Sequence, residues 1–280
     1  MNAKLFLLFR ITLIIAAVFF MFCMEPVKPG EEFTFTVIDV GQGLSQIGIM
    51  EKKAILWDIG PTDGYVSFKK NYLRLGGPFI EKIIISHSDN DHCGGLLSID
   101  SSINWSGKIS VNQYEDTAYL RKICSNWKGS LCFEIVKKGD TIKTLKGVNI
   151  HCLWPPNDSS LQTQERNSNS LVFIVKHGAN RLLISSDIDS SAQKAIAIDA
   201  LELKADILVA PHHGSGNFSP FFIHNTNPTQ VVISCSEKNS YGHPSQGLLT
   251  FLISEKIDVK FTFSHKSITY TSNTYYWEEN

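Results

Sequence analysis

Two histidines and two aspartates fall within six residues, at His87, Asp89, Asp91 and His92. The apolar run of residues 82–86 before them predicts a buried strand, so the four side chains are expected on the loop that follows. A loop can wrap four side chains around one centre, whereas a helix aligns only residues three or four apart. Imidazole nitrogens and carboxylate oxygens bind divalent metals such as zinc and manganese. The pattern predicts a metal site, with two ions favoured over one. The alternative is a polar loop whose charges are only solvated.

Later segments place similar chemistry at the ends of other predicted strands. Asp187 ends one apolar run, and the pair His212 and His213 ends another. His243 lies in a glycine–proline turn. A buried carboxylate is costly without a positive partner, and an aspartate can bridge two metal ions. Each of these residues alone is more often a cap or a satisfied core group, but together with the first cluster they indicate one site.

The composition is that of a globular protein. Of the 280 residues, 43% are hydrophobic and 19% are charged, and the net charge is −1. This length is enough for one large domain with a full core. The charge balance excludes a strongly basic surface, so a nucleic-acid substrate would depend on local patches and metal ions rather than on a global positive field.

The N-terminus departs from this globular pattern. Lys4 and Arg10 precede residues 11–24, which carry no charge. Positive residues before an apolar segment are typical of an export signal or a signal anchor. We interpret residues 1–24 as a signal peptide or, preferably, an uncleaved anchor in the cytoplasmic membrane, with the domain on the periplasmic or extracellular face. A buried N-terminal helix of the domain is the alternative.

Residues 25–32 are predicted to be a linker, and residues 33–280 one α/β domain. Alternating or continuous apolar runs predict the strands, and amphipathic spacing predicts the helices. The predicted strands are residues 33–40, 45–50, 53–57, 82–86, 133–136, 148–153, 171–176, 181–185, 207–210, 231–234 and 259–263. The predicted helices are residues 114–127, 190–203 and 247–255, and residues 157–169 are a predicted loop.

The His-x-Asp-x-Asp-His-x-Gly-Gly signature and the later motifs resemble the metallo-β-lactamase fold superfamily. More narrowly, they resemble the C-terminal hydrolase domain of the ComEC competence proteins. The matching segments are residues 39–44, 58–61, 86–92, 169–172, 187–189, 210–215 and 242–244. The resemblance implies an αββα sandwich of two mixed β-sheets flanked by helices. We expect this hydrolase domain by itself behind one hydrophobic segment, without the multi-span channel of the full-length family.

The chain departs from the classic superfamily pattern in three of its motifs. The classic loop has histidine at the position of Asp89, whereas the ComEC branch has aspartate there, as this chain does. Asn169 and Ser170 replace the histidine of the third motif, and Ser186 replaces the usual glycine. A metal site with more carboxylate ligands favours manganese over zinc without excluding zinc.

The resemblance also implies two divalent ions, zinc or manganese, and a ligand set for each. The first ion is held by His87, Asp89 and Asp187. The second is held by Asp91, His92, Asp187 and either His212 or His213. His212, which is nearer the strand end, is slightly favoured.

Further roles follow from the same resemblance. Asp91 orients the attacking water or takes its proton. His243 contacts a phosphate oxygen or protonates the leaving group, unless it is only a hydrogen-bonded turn residue. The residues expected to support the ligands or to contact substrate are Asp39, Asp58, Asn169, Ser170 and Ser215.

The function implied is that of an exported, metal-dependent phosphodiesterase or nuclease that acts on DNA, with a DNA-uptake machinery as its expected partner. One alternative keeps the metal site but changes the substrate to an envelope phosphoester, such as a phosphocholine ester, or to a β-lactam. Another is a non-catalytic binding module on a decayed metal site. The sequence leaves the metal identity, the strand preference and the oligomeric state open.

Overall fold

The strands alternate with short helices along the chain, and the computed structural model describes residues 31–157, 166–200 and 202–280. The strands are β1 (Phe33–Ile38), β2 (Ser45–Met50), β3 (Lys53–Ile59), β4 (Phe79–Ile84), β5 (Lys108–Val111), β6 (Cys132–Ile135), β7 (Thr141–Ile142), β8 (Val148–Trp154), β9 (Val172–His177), β10 (Asn180–Ile184), β11 (Ile207–Val209), β12 (Gln230–Ile233), β13 (Asp258–Phe261), β14 (Ser267–Ser272) and β15 (Trp277–Glu279). The α-helices are α1 (Tyr65–Arg74), α2 (Asn90–Cys93), α3 (Thr117–Ile123), α4 (Ser190–Asp199), α5 (Pro220–Thr226), α6 (Gln246–Ser254) and α7 (Thr262–His265).

Within the described residues, these strands form two mixed sheets. The first runs in the order β15-β14-β1-β2-β3-β4-β5-β6, and the second in the order β13-β12-β11-β10-β9-β8-β7. The strands β3 to β6 are parallel to one another, as are β10 to β13. The remaining pairings are antiparallel. Parallel strands end at a common edge, so side chains that follow β3, β4, β10 and β11 can meet there.

Three apolar clusters separate the layers. The central cluster joins Phe35 and Trp57 of the first sheet to Phe173 and Val209 of the second. A second cluster packs the face of α1, including Phe68, against the outer side of the first sheet. A third packs α4, α5 and α6 against the outer side of the second sheet. This arrangement of helix, sheet, sheet and helix confirms the predicted αββα sandwich.

The structure changes the bounds of several predicted elements. The helix predicted at residues 114–127 begins only at Thr117, because the Asp116 carboxylate accepts hydrogen bonds from the backbone N–H groups of Ala118 and Tyr119 and so caps the first turn. Its α-helical part ends at Ile123, and a 3-10 turn follows. The helix predicted at residues 190–203 ends at Asp199, where Ala200 adopts extended backbone angles.

The loop predicted after residue 86 contains a short helix. The strand β4 ends at Ile84, and Asp91 and His92 lie on the single turn α2 rather than on irregular backbone. Cys93, the last residue of this turn, is fully buried, and the Ile59 carbonyl lies close to Gly95. The cluster therefore lies on one short helical turn and the loop residues before it.

The domain itself is one unit, Glu32–Asn280. No helix within the described ranges has both the length and the apolar character that a membrane crossing requires. The predicted signal or anchor at residues 1–24 and residues 25–30 of the predicted linker lie outside the described residues.

Candidate metal centre

Four side chains from three separate parts of the chain meet at the side of the sandwich where the parallel strands of both sheets end. Asp91, His92, Asp187 and His213 each offer one ligand atom, and these atoms lie within 4.8 Å of one another. The Nε2 atom of His92 lies 3.2 Å from Oδ1 of Asp187 and 3.3 Å from Nε2 of His213. The Nε2 atom of His213 lies 3.2 Å from Oδ2 of Asp91. Two imidazoles and two carboxylates at this spacing form a donor set for a divalent cation.

Strand ends bring these residues together. Asp187 follows β10 by three residues, and His213 lies in the 3-10 turn Pro211–Gly214 after β11. The backbone of Ser186 has φ of 45° and that of His213 has φ of 55°. Left-handed angles are uncommon for residues other than glycine and concentrate at functional sites. The sharp turns aim the side chains at the cleft instead of along the strands.

Asp58 at the end of β3 orients His92. Its Oδ2 atom accepts a hydrogen bond of 2.8 Å from Nδ1 of His92. Its two oxygens also accept hydrogen bonds of 2.8 Å from the backbone N–H and the hydroxyl of Ser86. Because Nδ1 donates, Nε2 of His92 carries the lone pair that a metal ligand needs. The expectation that Asp58 supports a ligand agrees with this geometry.

Hydrogen bonds at Nδ1 also orient His213 and His87. Nδ1 of His213 donates to the carbonyl oxygen of Ser234 over 2.9 Å. The Ser86 hydroxyl donates to Asp58, so it accepts from Nδ1 of His87 over 3.0 Å. In each ring, Nε2 is left without a proton when the imidazole is neutral. Three buried histidines thus direct Nε2 toward the carboxylates of the cluster.

The environment of two buried atoms agrees with a bound cation. Nε2 of His87 and Oδ1 of Asp187 form no hydrogen bond with any residue that the structure describes. A buried polar atom without a partner is destabilising, by about 1–3 kcal/mol. A divalent cation satisfies both atoms without adding another donor, so the residues present fit the metal that the motifs imply.

Opposite charges shift the pKa values of the cluster. Burial would raise the pKa of Asp187, but His92 and His213 outweigh that effect and hold it well below its ordinary value. Burial would lower the pKa of His92, but Asp187 and Asp58 hold it well above its ordinary value. The Asp187 carboxylate is therefore ionised at neutral pH, as a metal ligand must be.

Asp89 lies at the edge of the cluster. Its Oδ2 atom is 3.6 Å from Nε2 of His87, and its Oδ1 atom accepts a hydrogen bond of 2.6 Å from the Arg166 guanidinium. The neighbouring His87 imidazole and the contact with Arg166 lower the pKa of Asp89 to about 2. His87 and Asp89 thus form a second pair of donors beside Asp187.

The sequence slightly favoured His212 over His213 as a ligand, but His213 is the one that lies among the other candidate ligands. His213 belongs to the four-residue group and is 3% exposed, whereas the His212 side chain is 30% exposed. Nε2 of His212 is 3.7 Å from Oδ2 of Asp187 and 3.4 Å from the side-chain nitrogen of Asn167. The left-handed backbone at both residues turns the second imidazole, not the first, toward Asp91.

Asp39, which was expected to support the ligands or to contact substrate, lies at the turn after β1. Oδ1 of Asp39 accepts a hydrogen bond of 3.2 Å from the backbone N–H of Gly41, which has φ of 78°. The residue lines a separate cavity of about 460 Å³. Asp39 therefore shapes the turn after β1 and does not contact the ligand set in the described structure.

Asn169 and Ser170 lie on the turn that braces the metal loop. The Asn112 side chain donates to the carbonyl oxygens of Ser86 and Asn169, each over 3.1 Å. The backbone N–H of Leu171 also donates to the Ser86 carbonyl. Ser170 is fully buried. These contacts agree with the expectation that this turn holds the metal-loop backbone.

Ser215 and His243 lie on the far side of the cleft. The Ser215 hydroxyl accepts a hydrogen bond of 3.2 Å from the backbone of Asn217, which is a loop contact. The His243 ring lies 5.5 Å from the His212 ring and 6.3 Å from the His213 ring. Nδ1 of His243 is buried and forms no hydrogen bond with a described residue. Of the two, only His243 faces the cleft.

A cleft of about 170 Å³ opens over the cluster. It is lined by Gln42, Asp89, Asp91, Asn167, Asp187, His212, His213, Tyr241 and His243. Gln42, Asn167 and Tyr241 were not candidates from the sequence, and neither was Arg166 on its rim. Asn167 and Arg166 lie in a polar stretch with no local signal, and only the fold brings them to the cleft.

The chain belongs to the metallo-beta-lactamase superfamily, whose family model matches residues 40–219. Among solved structures, it is similar to the metallo-beta-lactamase fold protein YhfI of Bacillus subtilis, with a TM-score of 0.56 and 12% identity. That similarity covers 89% of this chain and 100% of that chain. The fold and the superfamily predicted from the motifs are both confirmed.

Several curated proteins are similar to most of this chain. ComE operon protein 3 of Bacillus subtilis is 28% identical over 261 residues, which is 84% of this chain and 32% of that protein. Recombination protein 2 of Haemophilus influenzae is 27% identical over 80% of this chain and 27% of its own length. Competence protein ComA of Neisseria gonorrhoeae is 26% identical over 79% of this chain and 29% of its own length. The chain spans about a third or less of these relatives. The resemblance to ComEC-type proteins is thereby confirmed.

Replacing Asp58 with asparagine tests the orientation of His92. We expect Asp58→Asn to weaken Mn²⁺ or Zn²⁺ binding about 10- to 100-fold, because the carboxylate that fixes the ring and raises its basicity is lost. Isothermal titration calorimetry measures the affinity. Asp39→Asn is the matched control and should bind metal as the wild type does. Equal affinities for all three proteins would contradict the role given to Asp58.

The two adjacent histidines provide a second test. We expect His213→Ala to reduce metal affinity more than His212→Ala, because only Nε2 of His213 lies within the four-atom group. Metal content after dialysis against limiting Mn²⁺ or Zn²⁺, measured by mass spectrometry, gives the comparison. A larger loss in His212→Ala would show that the imidazoles exchange roles on binding.

Proposed function

We propose that this domain is a metal-dependent phosphodiesterase that hydrolyses DNA with the help of two divalent cations, zinc or manganese. The observation that carries the proposal is the convergence of Asp91, His92, Asp187 and His213 on one cleft. The similarity to competence-type relatives supports DNA as the substrate. The same relatives suggest that the domain works with a DNA-uptake machinery.

Two sets of donors support two ions. Asp91, His92 and His213 would hold one, and His87 and Asp89 the other. Asp187 lies against the first set, with Oδ1 near His92 and Oδ2 near His213 and His212. We propose that this carboxylate serves both sets. Bound cations supply Lewis acidity at a phosphoryl group and make a water more acidic.

The chain's own groups position the reactants. The Asp91 side chain is 35% exposed, so one oxygen can face a ligand while the carboxylate also accepts a proton from the attacking water. His243 reaches the cleft from the opposite side, and burial lowers its pKa so that its ring is neutral near pH 7. A neutral imidazole there can donate a hydrogen bond from its N–H group to a phosphate ester oxygen, and the leaving oxygen then takes its proton from water.

The size of the cleft favours a polymer over a small molecule. Pockets for small ligands commonly measure about 300–1,000 Å³, and this one measures about 170 Å³. A phosphodiester group fits, but the sugars and bases attached to it must lie outside. This feature favours DNA over a β-lactam or a compact envelope phosphoester.

Asp187→Asn tests the proposed activity. We expect the variant to lose at least about 100-fold in the rate of DNA hydrolysis, because the carboxylate that is proposed to serve both donor sets is lost. The assay uses single- and double-stranded DNA with Mn²⁺ or Zn²⁺, and a chelator should abolish the wild-type activity. Asp189→Asn is the matched control, because Asp189 caps α4 and asparagine caps a helix equally well.

Other outcomes distinguish the alternatives. Hydrolysis of a chromogenic phosphodiester or of a β-lactam without cleavage of any DNA would overturn the nuclease in favour of another hydrolase. Failure of the wild-type protein to retain metal would indicate a non-catalytic binding module.

We propose further that the domain acts outside the cytoplasm, held by the N-terminal segment. The support is the uncharged run of residues 11–24 after Lys4 and Arg10. We expect the chain in the membrane fraction of expressing cells and open to protease added from outside. Removing residues 1–24 should abolish both properties. A wild-type chain found wholly in the cytosolic fraction would contradict this location.

A further inference from the structure

A large aromatic side chain stands exposed at the opening of the metal cleft. Tyr241 is 70% exposed and lines the cleft together with His212 and His243. An exposed ring forgoes the stabilisation that burial gives an apolar surface. Single exposed aromatic residues are ordinary, so the position of Tyr241 gains meaning only from its surroundings.

The loop that carries Tyr241 is held in place by one asparagine. Oδ1 of Asn239 accepts hydrogen bonds from the backbone N–H groups of Tyr241, at 3.1 Å, and His243, at 3.0 Å. The Asn239 side-chain nitrogen donates to the carbonyl oxygens of Ser236 and His243. The backbone around the tyrosine is therefore fixed before any substrate arrives.

The Tyr241 ring also continues a stack of rings that begins in the cluster. It lies 6.0 Å from the His243 ring, with an angle of 27° between their planes. The His243 ring lies 6.3 Å from the His213 ring, again at 27°. A flat group added to the exposed part of Tyr241 would extend this stack next to the metal ligands.

Charge indicates the side on which a phosphate backbone would run. The neighbouring cavity, which shares Gln42 with the cleft, is lined by the carboxylates of Asp39, Asp63 and Glu237. These would repel phosphates. Arg166, on the Asp89 side, has a side chain that is 57% exposed and can attract them.

We propose, on the basis of the function proposed above, that Tyr241 stacks on an unpaired base of DNA and so makes single-stranded DNA the preferred substrate. Bases within a duplex have both faces covered by their neighbours, whereas an unpaired base can stack on an aromatic side chain. The scissile phosphate enters the cleft, the adjacent base rests on Tyr241, and the backbone continues toward Arg166.

Binding measurements test this role separately from hydrolysis. The probe is a fluorescent 12-nucleotide phosphorothioate strand, alone or paired with its complement, titrated with the full chain in Mn²⁺ and followed by anisotropy. We expect Tyr241→Ala to bind the single strand about 10-fold more weakly, with no change for the duplex. Tyr241→Phe, which keeps the ring, should bind like the wild type.

Removal of a base from the strand sharpens the test. Among probes with one abasic position, at least one should bind the wild type more weakly than the intact strand does, while Tyr241→Ala should bind the two equally. The matched control is Tyr275→Ala, which removes a ring that is 77% exposed and does not line the cleft. Thermal unfolding of Tyr241→Ala at the same midpoint temperature as the wild type would show that the variant is folded.

The two proposals fail in different ways. Equal single-strand affinities for wild type and Tyr241→Ala, or equal losses on single strand and duplex, would overturn the role of Tyr241. A wild type that shows the expected binding pattern but cleaves no unmodified DNA with either metal would overturn the nuclease and leave the stacking role standing.

Discussion

The rest of the site depends on the burial of the Asp187 carboxylate. Its side chain is 3% exposed, and a charge removed from water is strongly destabilising unless opposite charges and hydrogen-bond donors surround it. His92 and His213 supply the opposite charge from two directions. Each imidazole is held in turn by an oxygen behind it, from Asp58 or from the Ser234 backbone. The carboxylate thus ties β3 and the turn α2 in the first half of the sandwich to β10, β11 and β12 in the second.

The backbone around this carboxylate is strained. Asp58, Ser186, His212 and His213 all have positive φ, between 45° and 55°, and each lies at the edge where the strands end. Such angles cost about 1–3 kcal/mol for a residue other than glycine, and they persist where the surrounding packing determines them. The apolar clusters on both faces of the two sheets provide that packing. The apolar packing of the sandwich therefore offsets the free-energy cost of the left-handed backbone angles, which direct the candidate ligand side chains into the site.

Most of the fold was predictable, because strands are indicated by local signals. These are runs of β-branched residues that end at glycine, proline or aspartate. The predictions that failed involve competition from other parts of the chain. The helix expected from residue 114 begins at Thr117, since Asp116 caps the backbone there. Arg166 and Asn167 reach the cleft from a polar stretch that carries no periodic pattern.

From the sequence alone one can determine the superfamily, the two-sheet sandwich and the residue types of the metal centre, because these depend on motifs and on spacing along the chain. The tertiary structure decided which atoms meet. It placed His213 rather than His212 in the four-residue group, set the Asp58 carboxylate against Nδ1 of His92, and brought Tyr241 to the opening of the cleft. Adjacent histidines are equivalent in a sequence pattern. They become different only when left-handed backbone at the end of a buried strand turns one imidazole into the four-residue group and leaves the other, which is more exposed, beside it in the cleft.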